Sequence, residues 1–271
     1  MNPESFSVLI SVYYKENPIF LHQALNSIFN QTCLPSEIVL IKDGPLTVEL
    51  ENVIDTYKKK YPIFVLLQNE TNIGLGLSLA KGLLACSNEI VARMDSDDIS
   101  HPERFEKQLI AIEKGYDVVS CWSTLFVDSI NNIIALKKRP EFHDDIVKLC
   151  KRRSPVSHSA CIYRKSKVIA AGSYLHCELY EDYHLWVRMI MNGAKFYNVQ
   201  ESLFFVRTSL DQASRRGGWK YLKNEVKTFL YFHQIGFFSN CDLFINIIIR
   251  TPIRLLPAKL RYTLLKKIWN R

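Results

Sequence analysis

Short β-branched apolar runs alternate with longer stretches whose apolar residues recur every three or four positions. Phe6-Ser7-Val8-Leu9-Ile10-Ser11-Val12-Tyr13, Glu37-Ile38-Val39-Leu40-Ile41, Ile63-Phe64-Val65-Leu66-Leu67 and the run from Ile90 to Met94 read as buried strands. Helical segments lie between them. The first opens at Asn17-Pro18, with proline suited to a first turn, and puts Phe20, Leu21, Ala24, Leu25, Ile28 and Phe29 on one face. A polar helix spans about Thr47 to Lys60, and another runs from Asn72-Ile73-Gly74 through Cys86. Ser100-x-x-Glu103 has the form of a capping box, ahead of a helix burying Phe105, Leu109 and Ile112.

This order predicts a Rossmann-like, mostly parallel sheet with helices on both faces. Ligands of such sheets bind beyond the carboxyl ends of strands. Asp43-Gly44 follows one strand and Asp95-Ser96-Asp97-Asp98 another, so both are expected on one crevice. After Cys121 the pattern loosens. Strand-like pieces at 123–127, 133–136 and 160–163 mix with helices near 144–151 and 181–191, and helical runs near 221–234 and 259–269 end the chain. The reading divides the chain into a catalytic domain, 1–216, with halves meeting near 121–122, and a helical extension, 217–271, after Arg216-Gly217-Gly218.

The 271 residues are 48% hydrophobic and 23% charged, which suits one large folded α/β unit. The net charge of +8 is uneven. From Leu243 onward there are seven basic residues (Arg250, Arg254, Lys259, Arg261, Lys266, Lys267 and Arg271) and no acid. Removing them from the 35 basic residues leaves 28 against 27 acidic ones. A near-neutral body with a basic, apolar tail points to an anionic membrane surface rather than to nucleic acid. Beyond Pro257, Leu260, Leu264, Leu265, Ile268 and Trp269 form a helical stripe that would rest on lipid or pack on the domain. The run Leu243–Ile249 is too short to span a bilayer. An odd seven cysteines without metal spacing suit a reducing cytosol, and the N-terminus lacks the form of a signal peptide.

Three carboxylates in four positions repel one another. Behind a strand and ahead of a helix, they are expected to hold Mg²⁺ or Mn²⁺ together with a substrate diphosphate. A helix-dipole preference explains Asp98 but not the set.

The motifs "SVLISVYYKENPIFLHQALNSIFNQT", "EIVLIKDGP", "NIGLG", "RMDSDD" and "YEDYHLWVRM", in that order, resemble glycosyltransferase family 2. "RMDSDDIS" with a later Arg-Arg-Gly run is similar to the bacterial O-antigen and exopolysaccharide (amylovoran-type) members. The resemblance implies a GT-A fold, with a nucleotide-sugar half to about 121 and an acceptor half at 122–216. It implies an inverting, metal-dependent hexosyltransferase. That enzyme would move galactose from a UDP-sugar to a sugar on an undecaprenyl-type lipid diphosphate, giving a β-linkage, β1,3 by expectation. Glucose or an N-acetylhexosamine is the alternative donor sugar. A nucleotidyltransferase and an inactive membrane-recruited scaffold are the other classes. The expected location is cytoplasmic, peripheral to the inner face of the plasma membrane.

The same resemblance assigns residues. Val12 and Tyr13 begin the nucleotide pocket, and Asp43 accepts from the uracil N3–H; the alternative for Asp43 is a plain Asp-Gly-Pro turn. Lys81, Arg215 and Arg216 contact the nucleotide or its diphosphate, or the arginines are a basic hinge. Asp95 serves the ribose side and the metal, and Asp97 the metal. Thr208 stands where relatives often carry a ligating His. Asp182 is the base. Glu181, Trp186 and His158 fall on the acceptor side, with a core Trp and a structural His as the alternatives.

Overall fold

The computed structural model describes residues 5–177, 179–208, 217–257 and 260–261. Its centre is a nine-stranded sheet. β1 (Phe6–Val12), β2 (Glu37–Lys42), β3 (Phe64–Gln68) and β4 (Ile90–Asp95) lie parallel in the order β3-β2-β1-β4. Residues Val8 to Ile10, Ile38 to Ile41 and Val91 to Ala92 are fully buried, which explains why these strands read as continuous apolar runs rather than alternating ones.

α1 (Pro18–Phe29), α2 (Val48–Lys60) and α3 (Leu75–Ala85) connect the parallel strands. Asn17 caps α1 by accepting from the Ile19 amide, and Thr47 caps α2 by accepting from Leu50. At Gly82, α3 presses on the sheet so closely that a Cβ would lie 2.2 Å from Ile41 Cδ1.

Beyond β4 the sheet turns mixed. β5 (Ile99–Ser100) pairs antiparallel with β9 (Phe196–Arg207), and β8 (Ile162–Arg164) pairs antiparallel with β4 and β6 (Val118–Val127). β6 runs parallel to β9 and antiparallel to β7 (Ser129–Lys137). The predicted capping box is not formed. Ser100 sits in β5, where its hydroxyl accepts from Arg104 Nη1, and Glu103 at the start of α4 (Arg104–Glu113) makes no side-chain cap. Arg104 is wholly buried and also donates to the Arg93 carbonyl, so Ser100 serves a buried arginine instead of a helix end.

α5 (His143–Cys150), α6 (Lys165–Ala170) and α7 (Glu181–Met191) cover the second half. α8 (Trp219–Gln234) and α9 (Asn240–Leu255) follow. Phe229, Phe232, Phe237 and Phe238 pack on Tyr180, Tyr183 and Val187 at the start of α7, so α8 is fused to the rest of the fold. α9, of which the apolar run Leu243–Ile249 is only the middle, is a helix of 16 residues opened by a Ser239–Asp242 capping box. The helix predicted near 259–269 lies mostly outside the described residues.

The basic tail divides in two. Arg254 Nε and Nη2 bind Glu225 of α8, each at 2.8 Å, and Arg250 Nη1 binds the same carboxylate at 2.7 Å. Arg261 is buried and donates to the carbonyls of Arg254 and Leu256. Three of the seven tail cations are therefore structural. Burial pushes the Glu225 carboxyl up, but Arg254 and Arg250 outweigh it and hold it below the usual glutamate range. Removing this charge strands two arginines, one of them buried. Glu225→Gln is expected to cost about 3–5 kcal/mol, read as a fall of several degrees in Tm. A depressed carboxyl stabilises above its unfolded pKa of about 4 and loses that contribution as pH falls. The gap between wild type and variant should be full at neutral pH and close in acid, which thermal melts across pH will check.

Candidate active site

The carboxyl ends of β1, β2 and β4 open on a cleft of about 590 Å³. Tyr13, Glu16, Asp43, Asp95, Asp97 and Arg207 are among its lining residues, so the two acidic motifs do meet.

Asp43 is nearly buried, and its carboxylate is heavily used. Oδ1 accepts from Asn69 Nδ2 at 3.0 Å and from the Ile73 amide at 2.8 Å; Oδ2 accepts from the Gly74 amide at 3.0 Å. A carboxylate offers about four acceptor positions, so one on Oδ2 is left. Gly44 (φ +90°) ends the turn so tightly that a Cβ there would lie 2.9 Å from the Asn72 nitrogen. Lys81 does not line the cleft. Its Nζ donates to the Gln68 carbonyl and to Asn69 Oδ1, so it acts on Asp43 through Asn69 rather than on a ligand. Val12 is likewise buried behind the cleft, where its carbonyl accepts from the Asp43 amide.

Ligand oxygens of Asp95, Asp97 and Asp98 lie within 4.8 Å of one another. Burial, then the charges of Asp95 and Glu16, push the Asp97 carboxyl up to about 7. Asp98 is buried and also raised, first by burial and then by its neighbours, and its Oδ1 accepts from the Arg207 amide at 2.8 Å. Arg93, wholly buried beneath, pairs with Asp95. Clustered hard oxygens whose charges oppose one another fit a divalent cation such as Mg²⁺ or Mn²⁺. Asp95 and Asp97 would hold it, since Asp98 is committed to β9.

Arg207 closes the cleft wall. Its guanidinium donates to the carbonyls of Asp97 and Asp128 and to Gln23 Oε1, and stacks on Phe20 and Phe126. Thr208, in place of the expected histidine, lines the same cleft. Arg215 and Arg216 lie outside the described residues.

Glu181 and Asp182 form the first turn of α7. Neither lines the cleft, but Glu181 packs close to α3 because residue 76 is glycine: a Cβ at Gly76 would lie 3.3 Å from Glu181 Cβ and 2.9 Å from the Leu175 carbonyl oxygen. Burial, then Asp182, push Glu181 up to about 7. Asp182 Oδ2 accepts from Ser154 Oγ at 3.0 Å.

Trp186 is a correction. The ring is wholly buried, 6.0 Å centroid to centroid from Phe196 and 5.9 Å from His158, and has no face left for a sugar. Its place on α7, four residues after Asp182, points it into the core under the sheet. His158 Nε2 is paired with Tyr174 Oη at 3.0 Å, and Tyr174 with Tyr163. Burial and Arg93 hold that imidazole neutral.

Glu16, Asn69, Arg93, Asp128 and Ser154 had no assigned role in the sequence reading. Only Arg93 carried a signal, a charge inside an otherwise apolar strand.

Residues 7–170 match the family model described as glycosyl transferase family 2. The chain is 40% identical over 270 residues to the UDP-Gal:alpha-D-GlcNAc-diphosphoundecaprenol beta-1,3-galactosyltransferase of Escherichia coli, covering 98% of this chain and 97% of that one. It is 39% identical to the amylovoran biosynthesis glycosyltransferase AmsE of Erwinia amylovora, covering 97% and 98%. Among solved structures, the mannosyltransferase PcManGT of Pyrobaculum calidifontis, in complex with GDP-Man and Mn²⁺, superposes with a TM-score of 0.63 at 15% identity, covering 90% of this chain and 68% of that one. Staphylococcus aureus TarS 1–349 with UDP-GlcNAc superposes at 0.61 and 17%, covering 83% and 66%. At such identities the two structures speak for the fold.

Asp43→Ala removes three charge-assisted hydrogen bonds from the loop before α3. Amide exchange at Ile73 and Gly74 is expected to quicken by about tenfold or more, which hydrogen-exchange NMR will measure.

Proposed function

The chain belongs to glycosyl transferase family 2 and is a glycosyltransferase of GT-A fold, and on that premise we propose an inverting galactosyl transfer from UDP-galactose to a GlcNAc on an undecaprenyl-type lipid diphosphate, giving a β1,3 linkage. One observation carries the reading. Asp43 and the Asp95–Asp97 pair share a cleft at the strand ends, and Gly76, next to the cleft-lining Leu75, lies against Glu181 at the start of α7.

In this reading the open acceptor position on Asp43 Oδ2 takes the uracil N3–H, with Asn69 and Lys81 holding the carboxylate in place. Tyr13 lies along the same pocket. Asp95 and Asp97 hold Mn²⁺ or Mg²⁺, which when bound neutralises charge on the departing diphosphate. Arg215 and Arg216, which lie outside the described residues, would add planar donors for the diphosphate. Asp182, oriented by Ser154, takes the proton of the acceptor hydroxyl as its oxygen bonds to the anomeric carbon. The anomeric carbon–oxygen bond to UDP breaks on the opposite side, so an α-linked donor gives a β-product. Glu181 lies beside Asp182 and contributes to the acceptor side.

The acceptor's lipid supports a peripheral place on the cytoplasmic face of the membrane. No helix among the described residues is long and apolar enough to cross a bilayer. The outward side of α9 is apolar, with Phe244, Ile248, Ile249 and Leu255 exposed, the reverse of a water-facing helix. Lys259, Lys266, Lys267 and Arg271, which lie outside the described residues, supply positive charge toward anionic headgroups. The catalytic unit is 1–216. The segment 217–271 is its membrane-facing extension, although α8 and α9 are also packed into the body.

Labelled UDP-galactose with a GlcNAc-diphosphate-lipid tests the reaction, and product NMR reads the linkage. Chelation should abolish transfer and Mn²⁺ or Mg²⁺ restore it, while Asp97→Ala loses turnover by orders of magnitude and stays folded. Activity that survives EDTA would remove the metal from the mechanism.

Asp182→Asn keeps shape and removes basicity. It should lower kcat by at least about 10²-fold with UDP affinity nearly constant. A parallel fall in UDP affinity by calorimetry would place Asp182 on the donor side instead.

A further inference from the structure

Two arginines lie in the segments around Asp182, and among the described residues neither makes an ion pair, although Asp182 is close enough to act on Arg139. Arg139 follows β7, and its carbonyl accepts from Trp122 Nε1 on β6 at 3.0 Å and from Gln200 Nε2 on β9 at 3.2 Å. Arg153 follows α5 and precedes Ser154, the residue bonded to Asp182. Ser157, further along that segment, is fastened to Ser120 and Ser123 of β6. Both arginine-bearing segments are thus laid on the same stretch of β6, and Asp182 meets them there.

Arg139 Nε is buried and has no hydrogen-bond partner among the described residues. Burial, and then the positive charge of Arg153, push Arg139 down to about 10, while Asp182 acts in the opposite sense. The orphaned, buried Nε of Arg139 and the like charge of Arg153 near it oppose folding. An anion bound there relieves both costs.

We propose that Arg139 and Arg153 form the binding site for the acceptor's diphosphate. The inference rests on the lipid-diphosphate acceptor of the proposed function and adds the residues that recognise it. Guanidinium forks suit phosphate oxygens better than a point charge does. Position agrees with chemistry. Asn246 Nδ2 of α9 donates to the Lys151 carbonyl at 2.9 Å, and Arg250 donates to the Arg152 carbonyl. The Arg153 segment is therefore clamped between the base and the helix that carries the apolar outer face. With the acceptor hydroxyl at Asp182 and the lipid at α9, the diphosphate has to pass between them.

The test uses the full chain, UDP-galactose and two short-chain acceptors: GlcNAc-α-diphosphate-alkyl and GlcNAc-α-alkyl without phosphate. Arg153→Gln and Arg139→Gln are each expected to raise KM for the diphosphate acceptor about ten- to a hundredfold. The wild-type preference for diphosphate over the neutral acceptor should collapse accordingly, and Arg153→Lys should restore part of it. Equal loss on both acceptors, or no loss on the diphosphate, overturns the site. Arg153 is solvent-accessible, so Arg153→Gln carries the test should Arg139→Gln fail to fold. Bilayer phosphate is the other source of the same chemistry. Vesicle co-sedimentation lost in Arg153→Gln with the acceptor preference intact assigns the arginines to headgroups and overturns the proposal. A wild type inactive on both acceptors overturns the acceptor reading alone. Calorimetry with inorganic pyrophosphate on the UDP-saturated protein then decides the arginine site: weaker binding in Arg153→Gln supports it, and equal binding overturns it.

Discussion

The crowding of negative charge at the end of β4 is the constraint that the neighbouring structure answers. Asp95, Asp97 and Asp98 stand together, with Glu16 close enough to raise Asp97. Two arginines make this tolerable without neutralising it. Arg93 lies below in the sheet and takes Asp95, while Arg207 arrives from the end of β9 and takes the Asp98 carboxylate by its amide. Arg207 then spends its guanidinium on the carbonyls of Asp97 and Asp128 and on Gln23, between two phenylalanine rings. Four parts of the chain are joined there. The cluster keeps its oxygens toward the cleft, with a deficit of positive charge that a cation and a diphosphate-bearing ligand can share.

A second buried charge organises the C-terminal part. Glu225 collects Arg250 and Arg254, and the aromatic cluster of α8 seals onto the start of α7. The helix that carries Glu181 and Asp182 is thereby packed against the helices nearest the proposed lipid surface. Arg250 also reaches the carbonyl of Arg152, one residue from Arg153 and two from the Ser154 that orients Asp182. The segment that holds Asp182 is therefore a neighbour of α9 in structure, although the two lie far apart in the chain.

The parallel half was legible because each buried strand needs an unbroken apolar run and each amphipathic helix a repeat near 3.6. β1, β2, β4 and the helices between them follow from that, as do the two acidic strand ends. β9 escaped notice because its partners β5 and β6 lie far away in sequence and its middle is polar, Asn198 to Ser202. α9 was hidden by Pro252, which sits in its last turn, and by an apolar face turned outward. Ser100 and Glu103 have the spacing of a capping box, yet a buried Arg104 claimed the serine.

The sequence by itself determined the fold class, the family and the carboxylates that meet at the cleft, because periodicity and motif order are local properties. Tertiary structure alone decided what each charged or aromatic side chain faces. Trp186 entered the core, Lys81 was drawn to Asn69, three tail cations were withdrawn into the body, and Arg139 and Arg153 were brought beside Asp182. Those outcomes depend on contacts between residues far apart in the chain. Burial and pairing follow from which segments pack together, and no window of sequence contains that information.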